Sequence, residues 1–312
     1  MPTLHEIQEA ILSRKGGAQD EIRRRHLRKL HEYTGNDTIL FATAFTSGKL
    51  PSIPAFVVSV TLEDVQAFMS ALHGLKGDSL DLIIHSPGGQ MEAAEQIVNY
   101  LRAKYQWIRA IIPQNAMSAA TMMACACDRI IMGKHSAIGP IDPQVTFPTE
   151  RGHFTAPAHA ILKEFERAKM EVANDPKTAP LWVRKIQGYP HGFLDMCEKT
   201  IGLSTDKVAE WLDQYMFAGL KPEERKGRAI AEWLANADEH KTHGRPIDIE
   251  KARARGLTID MLEEDQKLQE LVLSVFHATN VTFMVTNCMK IVENHNGRGL
   301  YRTVEIKQKP PA

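Results

Sequence analysis

The sequence predicts an α/β fold, a parallel sheet covered by helices on both faces with a helical portion after it. Three observations carry this. Apolar runs at 80–85, 107–113 and 129–132 alternate with segments of helical period at 61–74, 91–103 and 117–127. Within 80–85, Leu82, Ile83 and Ile84 are apolar at consecutive positions, as a strand buried on both faces requires. Two of the runs end in turns of proline, glycine, serine and alanine, at 85–90 and 113–120. Crossover connections place loop-borne chemistry at such carboxyl ends.

The elements follow in order. Residues 4–33 read as an amphipathic helix, with Leu4, Ile7, Ile11, Ile22, Leu27 and Leu30 set between charges and Gly16-Gly17 as a break. A turn at 34–37 leads to strands at 39–45 and 55–60. Thr61, with Asp64 three residues on, opens the helix that runs to about Gly74. Residues 140–152 read as a proline-rich loop, and helices are expected at 157–174, 180–188, 191–200, 204–215, 222–237 and 260–279. The expected organisation is an N-terminal helix at 1–34, an α/β core at 35–155 and a helical portion at 156–312 continuous with it. Apolar residues on the terminal helices (Leu4, Ile7 and Ile11, then Leu271, Leu273, Val275 and Phe276) exceed what one core uses, which predicts a homo-oligomer.

Composition excludes several function classes. The 312 residues are 43% hydrophobic, enough to bury a full core. Thirty-eight basic residues balance 38 acidic ones, so no bulk field draws the chain to nucleic acid or a membrane surface. The four cysteines form no CxxC, and Cys125 and Cys127 read as small buried residues, so neither a disulfide framework nor a metal is expected. No GxGxxG follows a strand, which removes nicotinamide chemistry, and no cofactor is expected. Without an apolar leader or a run of about 18 apolar residues, no membrane span is expected and the setting is read as cytoplasmic.

The chemistry lies at the two strand ends. His85-Ser86-Pro87-Gly88-Gly89 carries a glycine pair that admits φ > 0 and lets a carbonyl approach the backbone. Asn115-Ala116-Met117-Ser118-Ala119 places a serine where a strand gives way to a helix, whose free N–H groups favour a developing oxyanion. Serine also caps helices with no catalytic part to play. Together the two segments supply a nucleophile, Ser118, and oxyanion donors.

Several blocks carry a family resemblance: HSPGG (85–89), EAAEQIVNYLR (92–102), AMSAATMMA (116–124), DRIIMGKHSAIGPIDPQ (128–144), HGRPI (243–247) and KIVENHNG (290–297). Nearly the whole chain resembles the serine dehydrogenase proteinases. Residues 82–144 resemble the core shared by the Clp protease proteolytic subunit and the signal peptide peptidase A proteins. The resemblance implies a ClpP/crotonase-like crossed core and a serine endopeptidase acting on peptide or protein substrates. Ser118 matches the nucleophile, and an N–H of Gly88 or Gly89 with that of Ala119 matches the oxyanion hole.

The base departs from the Clp pattern. The stretch 138–143 holds no histidine, and His135 reads as a turn residue. The signal peptide peptidase arrangement implies a downstream lysine instead. On helix 157–174, Ile161, Phe165, Ala168 and Val172 form a buried stripe. Lys169 lies at its edge beside Phe165, where partial desolvation would free a neutral amine. Lys169 is therefore the leading base, although a snorkelling lysine with no catalytic part fits the same position. Lys163 and His159 are alternatives, and Asp142 and His243, which also read as structural, are held in reserve as supporting residues. Two other readings stay open: a crotonase-like acyl-CoA-binding enzyme, which needs the oxyanion hole but no nucleophile at 118, and an inactive oligomeric scaffold.

Overall fold

The computed structural model describes residues 3–13, 18–49, 53–149 and 152–304; Gly16 and Gly17 lie outside the described residues. Helices α1 (Leu4–Leu12) and α2 (Ala18–Thr34) precede strand β1 (Asp37–Thr43). Alternation follows, through α3 (Glu63–Leu72), β2 (Ser79–His85), α4 (Met91–Lys104) and β3 (Trp107–Ile112). Next come β4 (Asn115–Ala116), α5 (Ala119–Cys125), β5 (Arg129–Met132) and β6 (Ala137–Ile138). A hairpin of β7 (Gln144–Thr149) and β8 (Gly152–Pro157) leads into α6 (Ala158–Asn174), α7 (Ala179–Ile186) and α8 (Phe193–Trp211). The chain ends with α9 (Gly227–Leu234), α10 (Ala237–His240), α11 (Ile249–Arg255), β9 (Ile259–Met261), α12 (Gln266–Val285), β10 (Cys288–Asn294) and β11 (Gly299–Thr303).

Seven strands form the main sheet in the order β11-β10-β1-β2-β3-β5-β9. The five from β1 to β9 run parallel, while β10 and β11 add an antiparallel edge. Alternate residues face opposite layers. Ile39, Phe41, Leu82, Ile84 and Ile112 pack with residues of α3, α4 and α5. Leu40, Ala42, Ile83 and Ile111 meet Leu27 and Leu30 of α2 and Val272 and Val275 of α12. The sequence reading of a parallel sheet covered on both faces describes this arrangement.

A second layer of extended segments crosses the carboxyl ends of these strands. Val60 bridges Gly89, Ser86 bridges Ala116, β4 pairs with β6, and Ile138 bridges Ile247 in antiparallel sense. This minor layer positions the site.

Several sequence expectations are corrected. Residues 55–60 form no strand: Ala55–Val57 is a 3-10 turn, and Val60 alone bridges Gly89. The 140–152 loop is instead largely a hairpin, because Phe147 on β7 stacks edge-on against Phe154 and Phe193 and gives the segment a core of its own. Helices 191–200 and 204–215 merge into α8, since the Ser204 and Thr205 hydroxyls donate to the Ile201 carbonyl within the helix. The sheet takes β9, β10 and β11 from the portion read as helical. The apolar surface expected to join subunits is mostly used internally. Ile7 and Ile11 pack on Ile22, Ala278 and Val281, and Leu271, Leu273, Val275 and Phe276 are buried. Helix α12 is long and apolar enough to cross a membrane by length and composition, but 67% of its apolar window is buried in the protein.

Candidate active site

Ser118 links β4 to α5 at φ +52° and ψ −123°. Among the described residues it and Lys241 alone hold positive φ without being glycine. Such a conformation is strained and persists only where its surroundings fix it. They do so on both sides. The Met117 N–H donates to the Ser86 carbonyl at 3.0 Å, and the Ser118 carbonyl accepts from the Met122 N–H at 3.1 Å. Ser118 is half-buried, and among the described residues its hydroxyl has no hydrogen-bond partner.

The glycine turn lies directly against it. Gly88 has φ +88°, and a Cβ there would stand 2.6 Å from Ser118 Cβ and 2.8 Å from the Ala119 nitrogen. Only a residue without a side chain leaves that space open. The Gly88 N–H is already engaged, donating to Ser86 Oγ at 3.2 Å. Val60 holds the turn from behind. Its N–H donates to the Gly88 carbonyl at 2.7 Å, and its carbonyl accepts from the Gln90 N–H at 2.9 Å. In such a parallel bridge the intervening residue turns its own N–H away from the partner strand. The N–H groups of Gly89 and Ala119 accordingly donate to no described group. Of the glycine pair, Gly89 is the one with a free donor.

His243 and Asp142 come together. His243 Nδ1 lies 2.8 Å from Asp142 Oδ1, and Gln144 Nε2 donates to Asp142 Oδ2 at 2.9 Å. Asp142 is 4% exposed and His243 28%. The minor layer accounts for the pairing. Asp142 lies four residues after Ile138 and His243 four before Ile247, so an antiparallel bridge between those isoleucines sets the two opposite each other. In a neutral imidazole, a carboxylate on Nδ1 places the ring proton there and leaves the lone pair on Nε2. Ser118, Gly88, Gly89, Ala119 and His243 line one cavity of about 680 Å³, with Val60, Met91, Met122 and Ile141 as apolar wall.

The lysines of α6 do not reach that cavity. Lys169 does lie over the Phe165 ring, 5.9 Å from its centroid, yet its side chain is 58% exposed and donates to Glu166 at 2.9 Å. The partial burial expected for it is absent, because Phe165 and Val172 are themselves only half-buried. Lys163 is exposed and paired with Asp238, and His159 Nε2 stands 3.5 Å from the same carboxylate. None of the three lines the cavity that holds Ser118.

One group of described residues brings metal-ligand atoms together: His31, Asp37 and His295. The two imidazoles stack face to face at 3.7 Å with 4° between their planes. Their in-plane lone pairs therefore run parallel and do not converge on a metal at the roughly 2 Å that ligation needs. The sequence reading missed Ser86 and Val60, which hold the site by pairings between distant segments, and Gln144, which holds Asp142 from two residues on.

The family of ClpP-like SDH-type serine proteinases matches residues 12–296. Two uncharacterized proteins of Methanocaldococcus jannaschii are similar to the chain. One is 31% identical over 249 residues, 78% of this chain and 76% of that protein. The other is 30% identical over 203 residues, 64% of this chain and 59% of that protein. Two solved structures of the 1510-N membrane-bound stomatin-specific protease are also similar. A serine-to-alanine variant covers 68% of this chain and 79% of its own at 14% identity and TM-score 0.40. A lysine-to-alanine variant in complex with a substrate peptide covers 81% and 89% at 16% identity and TM-score 0.39.

Proposed function

The chain belongs to the ClpP-like SDH-type serine proteinases, and on that premise we propose that it cleaves peptide bonds through an acyl-enzyme on Ser118. In this reading His243 Nε2 takes the hydroxyl proton as Ser118 Oγ attacks the substrate carbonyl carbon. Asp142 keeps the imidazole in the needed tautomer and offsets its positive charge. The oxygen that becomes negative is met by the N–H groups of Gly89 and Ala119. The C–N bond then breaks, and the leaving amine takes the proton from His243. Water repeats the sequence on the ester, with His243 again as base, and frees the acid.

One observation carries the reading: a strained serine and an aspartate-held histidine line the same cavity. The lysine base expected from sequence gives way to His243, because Lys169 stands outside that cavity with a carboxylate partner. The test is labelling of the intact protein with a fluorophosphonate, followed by peptide mapping. The label should sit on Ser118 and should be lost on prior acid denaturation. A protein that binds acyl-CoA without a nucleophile would remain unlabelled, and that outcome would remove the peptidase reading.

A further inference from the structure

Lys290 opens the last sequence block singled out above, yet no step of the proposed reaction uses it. It lies on β10, 3% exposed, beside Asp64 on α3 at 4%. Its ammonium donates to Asp64 Oδ1 at 2.8 Å, to Asp64 Oδ2 at 2.7 Å and to the Ser59 carbonyl at 2.7 Å. All three of its protons are thereby directed. Asp64 Oδ2 also accepts from the Thr61 N–H at 2.8 Å. The pair thus holds the backbone on both sides of Val60, the residue that pins Gly88 and Gln90.

A buried ion pair is a poor source of stability, since desolvating two charges costs about as much as their attraction returns. What it supplies is direction. Ser59 and Thr61 belong to no strand, and Val60 makes only an isolated bridge, so no continuous strand ladder fixes that segment. We propose that Lys290 and Asp64 form a positioning clamp that holds Ser59–Val60–Thr61, and through Val60 aims the Gly89 N–H at the oxyanion. Both residues act through the backbone and neither touches substrate. The inference rests on the active-site reading above.

The test compares a peptide ester with its matched thionoester, whose sulfur fits an oxyanion hole poorly. Lys290→Met with Asp64→Leu removes both charges at once, so neither is left buried alone. Losing one aligned oxyanion donor should lower kcat about 100-fold. KM should stay within about twofold, and the preference for ester over thionoester should shrink about tenfold. A purely structural role would lower melting temperature and leave that preference intact. A folded double variant with the wild-type kcat and ester preference overturns the clamp. Asp64→Asn, which keeps the side-chain volume and an acceptor for Thr61, is the second arm should the double variant not fold. Its kcat should fall about tenfold at unchanged KM, and a wild-type kcat overturns the clamp there. Absence of any Ser118-dependent turnover in the wild-type protein overturns the active-site reading and the clamp together, whereas active wild type with active variants removes the clamp alone.

Discussion

Helix α6 holds the side chains that sequence reading offers as the base, the crossing of Ile138 with Ile247 holds two that it offers only in support, and the two regions treat them in opposite ways. On α6, Lys169 turns to Glu166 and Lys163 to Asp238, all on exposed faces. Water screens such pairs, and they neither dry the amine nor free it from a carboxylate. At the crossing, Asp142 is buried and holds His243 from behind, while His243 stays open to the cavity. The difference teaches that closeness along the chain does not make a base. In the proposed reaction a base needs a partner on its far side and the cavity of Ser118 on its near side, and of these two regions the crossing alone offers both.

The largest effects should separate the two regions outright. Ser118→Ala and His243→Ala should each cut kcat by about 10⁶, down to the background left by the oxyanion donors and binding. Circular dichroism should be unchanged, because both side chains border the cavity and neither belongs to a core cluster. Peptide turnover that survives His243→Ala would return the role of base to another group and break the comparison. Asp142→Asn comes next. The amide no longer fixes the imidazole tautomer, and kcat should fall about 10⁴-fold with the fold intact. A silent Asp142→Asn would mean that His243 needs no orientation.

Much of the main sheet was legible because its signals are local. Leu82–Ile84, Ile111–Ile112 and Ile130–Ile131 are apolar on consecutive positions, and the first two lead through short turn segments into helices. The glycine pair and Ser118 were legible for the same reason, as short segments at strand ends. The Asp142–His243 pair was not. A hundred residues separate the partners, and only the bridge between Ile138 and Ile247 puts them in register. HGRPI shows no periodicity that would announce an extended segment paired with 138. The β7–β8 hairpin was hidden by Pro140, Pro143 and Pro148, which read as loop, although Val145, Thr146 and Phe147 between them are strand formers. The antiparallel edge was missed because β10 pairs with β1 across some 250 residues.

A buried histidine next to Ser86 sharpens the contrast by stability rather than rate. His85 ends β2, fully buried between the rings of Phe45 and Phe276, with Nδ1 unpartnered. Burial lowers its pKa from 6.5 to about 3. As pH falls below 6.5 the unfolded chain binds a proton there and the folded chain does not. The fold therefore loses stability between pH 6.5 and about 3, by on the order of a few kcal/mol for this group. Chemical denaturation of wild type and His85→Leu at pH 7, 5 and 4 checks this. The variant should show the shallower loss, and parallel curves would assign the acid sensitivity elsewhere.

The smallest expected effect is the one that the sequence reading would have made large. Lys169→Met removes a cation whose partner, Glu166, is one turn away and mostly exposed, as is Lys169 itself. Exposed pairs at this spacing contribute about 0.2–0.5 kcal/mol, so melting temperature should move by less than about 2 °C in a chain of this size. Turnover should be unchanged, since the side chain borders neither Ser118 nor the cavity wall. Lys163→Met should behave alike, because Asp238 keeps His159 as a second neighbour. The two outcomes divide cleanly. A silent Lys169→Met beside a dead His243→Ala places proton transfer at the crossing. A dead Lys169→Met with a normal melting curve would require α6 to move toward Ser118 during turnover, and the static pairing of Lys169 with Glu166 would then be a resting arrangement that substrate breaks.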